Sequence, residues 1–512
     1  MRILNRGTIV TNFMRLTVLL ILPAVSWGDD SARKAGEIVL EPAAMVSPEG
    51  TVDFELGTLY VPENRSDPGS RLIGVGFARF KGREGAGALP TVHLPGGPGN
   101  SYLMGLMPGN NYRRFVLAEL FTRAGDVVFI DQRGFSTRGE NLKFRGQTPG
   151  FPAGEPESLA RSTAAFVEMV KAAVADSQAK GIDLRGYTVL ECADDVNDLR
   201  KALGYPQITL VGESFGSQWS FAIMRRHPEI VARAVLSGVE PLDCGYDMPS
   251  HIFAALQRIS WQADQDPKLA PYLPAGGLMA AARAVLERLQ KATVQVPVKS
   301  ARNGETVTVT LGPEDFQESL LGLGRTTAGP AFLLSQYHGH YDAWARMVLA
   351  SRRSREMEMP LIGPLIDTSL GVTPRRRHLL RTDPASDYLG HWNFDAYLAT
   401  ADIWPTADVG DEFRTEIVCR IPVLFVHGDW DIQTPIENLL TVTPYFPNSR
   451  VLVAVHGRHA ELRRVLPLVP AVLEFVQTGN TSNLPAKVVL PVPQFDVPNF
   501  PPPADKPATE GK

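Results

Sequence analysis

"ITLVGESFG", residues 208–216, decides how this chain folds. Ile208 to Val211 form a short apolar strand, Gly212-Glu213-Ser214-Phe215-Gly216 sets a serine between two glycines, and an amphipathic run continues to His227-Pro228. A G-x-S-x-G pattern arises by chance in roughly one chain in six of this length, so its setting carries the information. Between a strand and a helix it is a sharp turn that lifts a serine hydroxyl off the end of a sheet. Glycine on each side lets strand and helix approach without a Cβ clash. Ser214 is the candidate nucleophile, and the backbone N–H of Phe215 is one candidate donor to an oxyanion.

The segments around this turn read as alternating helices and strands. Cys192, Val196, Leu199 and Leu203 recur on one face of a predicted helix, with Asp194, Asp195, Asp198 and Arg200 between them, before Gly204 and Pro206 stop it. Further out, Val52–Val61 and Leu72–Phe80 read as a hairpin around Asp67-Pro68-Gly69. Short apolar runs follow at Thr91–Leu94, Val127–Ile130, Ala234–Leu236, Val423–Val426 and Val451–Val455. Continuous apolar strands alternating with helices imply an α/β fold, a mostly parallel sheet with helices on both faces. From residues 244 to 405 the rhythm changes to helical periodicity, with a small hairpin at "VQVPVKSARNGETVTVTL", and reads as an inserted helical cap. The sheet domain then comprises residues 29–243 and 406–484.

A serine hydroxyl needs a histidine base, itself oriented by a carboxylate. After the cap, "IPVLFVHGDWDIQTP" offers Asp429 and Asp431, and "RVLVAVHGRHAEL" offers His456 and His459, each just beyond a strand. Asp431 lies deeper in its loop, and His459 directly precedes a predicted helix at Ala460-Glu461-Leu462, so Asp431 and His459 are the expected partners of Ser214. Asp429 reads as a loop carboxylate, and His427 and His456 as structural histidines. Upstream, "LPGGPGNS", residues 94–101, leaves a strand with almost no side chains. A developing oxyanion must be reached by backbone N–H groups, and a bare loop allows that approach, which makes the Gly97 N–H the second expected donor.

The chain has 512 residues, 44% hydrophobic and 21% charged, and a net charge of -4, which gives a large core and no field for nucleic acid. Arg2, Arg6 and Arg15 precede the apolar stretch Leu16–Val25 and Ser26-Trp27-Gly28, the pattern of a signal peptide over residues 1–28 and an address that is secreted or periplasmic. The stretch falls short of the ~20 residues of a membrane span. Three cysteines, Cys192, Cys244 and Cys419, are too few for a disulfide scaffold, and no Cys/His spacing points to a metal; acyl-serine chemistry calls for no cofactor. The proline-rich residues 485–512 read as an extended, loosely packed tail.

The set "GGPG", "VVFIDQRGFSTRG" with Asp131-Gln132-Arg133-Gly134, and "GESFG" resembles the prolyl iminopeptidase and tripeptidyl aminopeptidase family of α/β-hydrolases, which are serine peptidases. The resemblance runs from about Val52 to Val476. It implies short peptide substrates, cut from a free N-terminus beneath a cap that excludes folded proteins. It also implies acidic residues paired with the substrate α-amine, by position Glu240 in "LSGVEPLD" and, secondly, Glu213. Arg133 and Asp131 are expected to brace the glycine loop. Pro95 stands where the iminopeptidases carry histidine, and Arg458 where glycine usually precedes the catalytic histidine, departures that favour the tripeptidyl branch. A carboxylesterase or lipase on the same scaffold, a serine carboxypeptidase and a non-catalytic binding protein are the alternatives.

Overall fold

In a computed structural model that describes residues 33–47, 50–83, 85–106, 120–299, 304–459 and 468–503, the apolar runs assemble into one ten-stranded sheet. The strands are β1 (Ile38–Ser47), β2 (Gly50–Pro62), β3 (Leu72–Phe80), β4 (Thr91–Leu94), β5 (Val127–Ile130), β6 (Ile208–Glu213), β7 (Val231–Ser237), β8 (Val423–Gly428), β9 (Ser449–Val455) and β10 (Lys487–Val489). Across the sheet they run β1-β2-β3-β5-β4-β6-β7-β8-β9-β10. β1, β2, β3 and β5 pair antiparallel, and every neighbouring pair from β5 through β10 is parallel. The centre is apolar because both faces are covered: every residue of β4 and β5 is buried.

One face packs the helices Val189–Ala202 and Phe215–Arg226, and the other packs Val469–Thr478. The predicted stripe Cys192, Val196 and Leu199 is buried on the first face. Close packing explains the glycines of the turn. A Cβ on Gly216 would lie 2.1 Å from the carbonyl oxygen of Leu94, and one on Gly212 would lie 2.3 Å from that of Gly216.

The insertion between β7 and β8 builds its own apolar core around the helices Pro249–Ala263 and Gly277–Lys291. The hairpin foreseen there pairs Val294–Lys299 with Thr306–Leu311, and its turn, residues 300–303, lies outside the described residues. The insertion is also stitched to the sheet domain at two places not foreseen. Lys143–Thr148 pairs antiparallel with Arg355–Pro360, and Leu361, Ile362, Leu365 and Ile366 join the core beneath the sheet. Strands reading "KFRGQT" and "REMEMP" carry little apolar alternation; charge pairing of Glu358 with Lys143 and Arg145 takes its place.

Over its described part the tail is extended and mostly exposed, and it is anchored at a few points. Lys487–Val489 adds the edge strand β10, Phe495 is buried against Trp430, and Phe500 packs on Tyr272 and His340. Proline keeps this backbone extended, but the aromatic side chains between the prolines anchor it. Residues 1–28 lie outside the described residues; among those described, no helix is long and apolar enough to cross a membrane, and Cys192, Cys244 and Cys419 are free thiols.

Candidate active site

Ser214 stands at the turn from β6 into the helix Phe215–Arg226 with φ 60° and ψ -130°, a conformation that L residues adopt at a cost. Its hydroxyl makes no capping bond to the helix. The turn is held by its backbone instead: the Ser214 N–H donates to Ser237 O at 2.9 Å, and Ser214 O accepts from the Ser217 hydroxyl at 2.7 Å. Beside it lies the glycine loop, since a Cβ on Gly96 would sit 3.0 Å from Ser214 Cβ and 3.5 Å from its Oγ.

β8 and β9 end at the same edge of the sheet and deliver Asp431 and His459. His459 Nδ1 lies 2.8 Å from Asp431 Oδ2, and that carboxylate also accepts from the Thr434 hydroxyl at 2.8 Å and from the N–H groups of Gln433 and Thr434 at 2.9 and 3.0 Å. Burial pushes the Asp431 carboxyl up, but the charge and hydrogen bond of His459, with His427 and the Thr434 N–H, outweigh it and hold the group below its ordinary value. Burial likewise opposes the charge on His459, yet Asp431, followed by Glu213 and Asp247, raises its pKa. The ring reaches β7: a Cβ on Gly238 would lie 3.0 Å from His459 Cε1, one residue past the Ser237 carbonyl that holds Ser214.

The other candidates make different contacts. Asp429 accepts from the backbone N–H of His456 at 2.7 Å, and His456 Nδ1 donates to Leu490 O at 2.9 Å. His427 is fully buried. Its Nδ1 accepts from the Val239 N–H at 3.1 Å, which leaves the proton on Nε2 to donate to Thr434 O at 2.8 Å. Burial lowers its pKa, so a neutral imidazole ties the Thr434 turn to the segment leading into Glu240. The helix expected at Ala460-Glu461-Leu462 falls outside the described residues.

Gly97 has φ 115°, open to glycine but unfavourable for other residues. Asp131 and Gln132, which follow β5, bond to this loop. Asp131 accepts from the hydroxyls of Ser101 and Ser136 at 2.8 and 3.0 Å, and so fixes the loop's far end. Arg133, fully buried, grips Asp195 through two bonds of 2.6 and 2.7 Å and donates to the carbonyls of Glu63 and Gly186. The expectation that Arg133 braces the glycine loop is corrected, because its partners all lie outside residues 94–101, whereas Asp131 touches the loop directly at Ser101.

Glu240 follows β7, and its backbone N–H donates at 2.9 Å to the Ser217 hydroxyl, the same hydroxyl that holds the carbonyl of Ser214. Its carboxyl is raised well above the ordinary value by burial and then by the negative charges of Asp247, Asp367 and Asp431. Glu213, on the last residue of β6, adds its charge at His459. Two residues of this acidic group, Asp247 and Asp367, carry no motif that a sequence reading could catch; both lie in the cap. Asp247 Oδ1 accepts from the buried Asn438 at 2.7 Å, and Asn438 Oδ1 accepts in turn from His251 Nδ1 at 2.9 Å. The arrangement gathers carboxyl groups beside a histidine–aspartate pair, and burial favours the neutral forms of Glu240, Asp247 and Asp367.

Burial pushes Asp131, Asp247, Asp367 and Glu416 each up to about 7. Unfolded carboxyls titrate near about 4, so the folded chain binds more protons between these values, and stability from these groups is lost as pH rises through 7. Urea denaturation is expected to give a higher unfolding free energy at pH 5.5 than at pH 8.5, with a shallower slope for Asp367→Asn. A free energy that climbs with pH across this window would contradict the assignment.

Residues 92–269 match a family model described as the α/β hydrolase fold. No curated protein matches the chain. Among solved structures, a bromoperoxidase from Bacillus anthracis is 15% identical and aligns over 82% of this chain and 99% of its own, with a TM-score of 0.35. A serine hydrolase from Cycloclasticus zankles is 13% identical over 82% of this chain and 97% of its own (TM-score 0.33), and an esterase from Thermogutta terrifontis is 16% identical over 82% and 99% (TM-score 0.34). With its sheet order, its strand–serine–helix turn and this match over β4 to the first cap helix, the chain has the α/β hydrolase fold.

Proposed function

We propose that this protein is a serine peptidase that releases residues or short peptides from the free N-terminus of oligopeptides, of the prolyl iminopeptidase or tripeptidyl aminopeptidase type. Ser214 Oγ attacks the scissile carbonyl while His459 takes its proton. Asp431 holds the imidazole in its working tautomer and stabilises the cation. The N–H groups of Gly97 and Phe215 receive the oxyanion. His459 then protonates the leaving amine, and a water activated by the same ring releases the acyl group. The basic and apolar N-terminus supports export before the enzyme acts.

The observation that carries the peptidase reading is the carboxylate of Glu240 crowded by Asp247 and Asp367 beside Asp431. A site for neutral esters gains nothing from a group of carboxyls that burial and mutual repulsion hold towards their neutral forms. An ammonium group entering there favours the ionised carboxylates and gains their charge–charge attraction. The test is a panel of p-nitroanilides of free alanine, free proline, a free tripeptide and their N-acetylated forms, with p-nitrophenyl butyrate as the ester. Free N-termini are expected to be cut faster than blocked ones. Glu240→Gln, by removing a charged hydrogen bond, is expected to lower kcat/KM for free peptides about 10- to 100-fold and to spare the ester. Preference for blocked peptides or for the ester would overturn the aminopeptidase assignment.

A further inference from the structure

We propose that Gln132 is a positioning residue that sets the direction of the Gly97 N–H by clamping the peptide unit before it. The inference rests on the acyl-serine part of the reading above and not on the choice of peptide over ester.

The side chain of Gln132 is fully buried, and both ends of its amide are engaged by the same loop. Nε2 donates to Gly96 O at 3.0 Å, and Oε1 accepts from the Gly99 N–H at 2.7 Å. With an acceptor on one side and a donor on the other, the amide has one orientation that satisfies both. The two bonds straddle Gly97-Pro98, the part of the loop that must face substrate.

Sheet order converts this clamp into a direction. β4 lies between β5 and β6; Gln132 follows β5, and Ser214 follows β6. The loop leaving β4 therefore has Gln132 on one flank and the serine on the other. The peptide bond from Gly96 to Gly97 is trans, and in a trans amide the C=O and N–H point to opposite sides. Drawing Gly96 O towards Gln132 sends the Gly97 N–H towards the Ser214 flank.

A peptide unit between two glycines needs such a device. No Cβ on either side disfavours the flipped orientation, in which the carbonyl would face the serine and the N–H would face away. A flipped unit presents a negative dipole to the developing oxyanion and withdraws one donor. Gln132 supplies the preference that the glycines lack.

The test uses the full chain with p-nitrophenyl butyrate, counting active sites by the burst of nitrophenol. Gln132→Met keeps the size of the side chain and removes both bonds. Gln132→Glu keeps an acceptor for the Gly99 N–H and loses the donor to Gly96 O. For both, kcat per titrated site is expected to fall about 10- to 10³-fold, the upper end being the loss of one whole oxyanion donor, with KM little changed. The affinity for phenylboronic acid, whose serine adduct places an oxygen in the same hole, is expected to weaken in parallel. Unchanged kcat per site and unchanged boronate affinity in Gln132→Met would overturn the inference. So would a loss confined to the number of active sites, since that is what a purely structural brace produces. Ser214→Ala in the same assay separates the two claims: if it stays active the acyl-serine reading fails, and if it is dead while Gln132→Met is fully active only the clamp fails.

Discussion

Ser214→Ala is expected to leave a folded protein whose kcat has fallen by about 10⁶-fold, the scale seen when a serine nucleophile is removed from a complete triad. The folded state survives because the hydroxyl contributes nothing to the helix it precedes: the turn is held by Ser214 N–H to Ser237 O and by the Ser217 hydroxyl to Ser214 O. Alanine accepts the same positive φ at a cost close to that of serine, so the unfolding midpoint should move little. Residual binding is a second readout. The variant should still bind a free N-terminal peptide, because the carboxylates that would take its amine belong to Glu240 and its cap neighbours. Turnover close to wild type would show that another group attacks the substrate.

Asp431→Asn is expected to lower kcat by about 10⁴-fold while preserving the hydrogen-bond geometry around the imidazole. The carboxylate now accepts from His459 Nδ1, from Thr434 and from two backbone N–H groups. An amide in its place can turn its NH2 towards Nδ1, which moves the imidazole proton to Nε2 and leaves no acceptor for the serine hydroxyl. The pH profile gives the independent sign. Asp431 raises the pKa of His459, so in the wild type the alkaline-rising limb of kcat/KM should lie above the ordinary histidine value of about 6.5, and in the variant it should move down. A limb that stays in place in Asp431→Asn would mean that another group sets the ionisation.

The sheet and the serine turn were legible because backbone geometry dictates them. Val127–Ile130 and Thr91–Leu94 can be read to the residue, since a strand buried on both faces favours apolar and β-branched side chains; the buried exception, His93, pairs with the Thr91 hydroxyl at 3.1 Å. Gly212 and Gly216 are equally forced, by contacts of 2.3 and 2.1 Å that no Cβ could survive. Asp431 and His459 were separated from Asp429 and His456 by loop position, and the structure brings that pair to 2.8 Å while giving Asp429 and His456 backbone partners. What escaped is what leaves no local pattern. The ribbon of Lys143–Thr148 and Arg355–Pro360 depends on partners about two hundred residues apart and on charge pairing. Asp247 and Asp367 are ordinary acidic residues until the cap folds over the sheet. The proline-rich tail hid its anchors, Phe495 and Phe500, because proline dominates a composition without deciding what its neighbours bury.

The long insertion leaves the sheet after β7 and returns at β8, two strands that lie side by side. Its two stems are therefore rooted in adjacent positions, like the hinge of a visor. Selection can lengthen, shorten or recolour such a visor without disturbing the order of the strands beneath it. The machinery on the sheet edge is thus free to stay constant while the range of molecules admitted to it drifts from one lineage to the next.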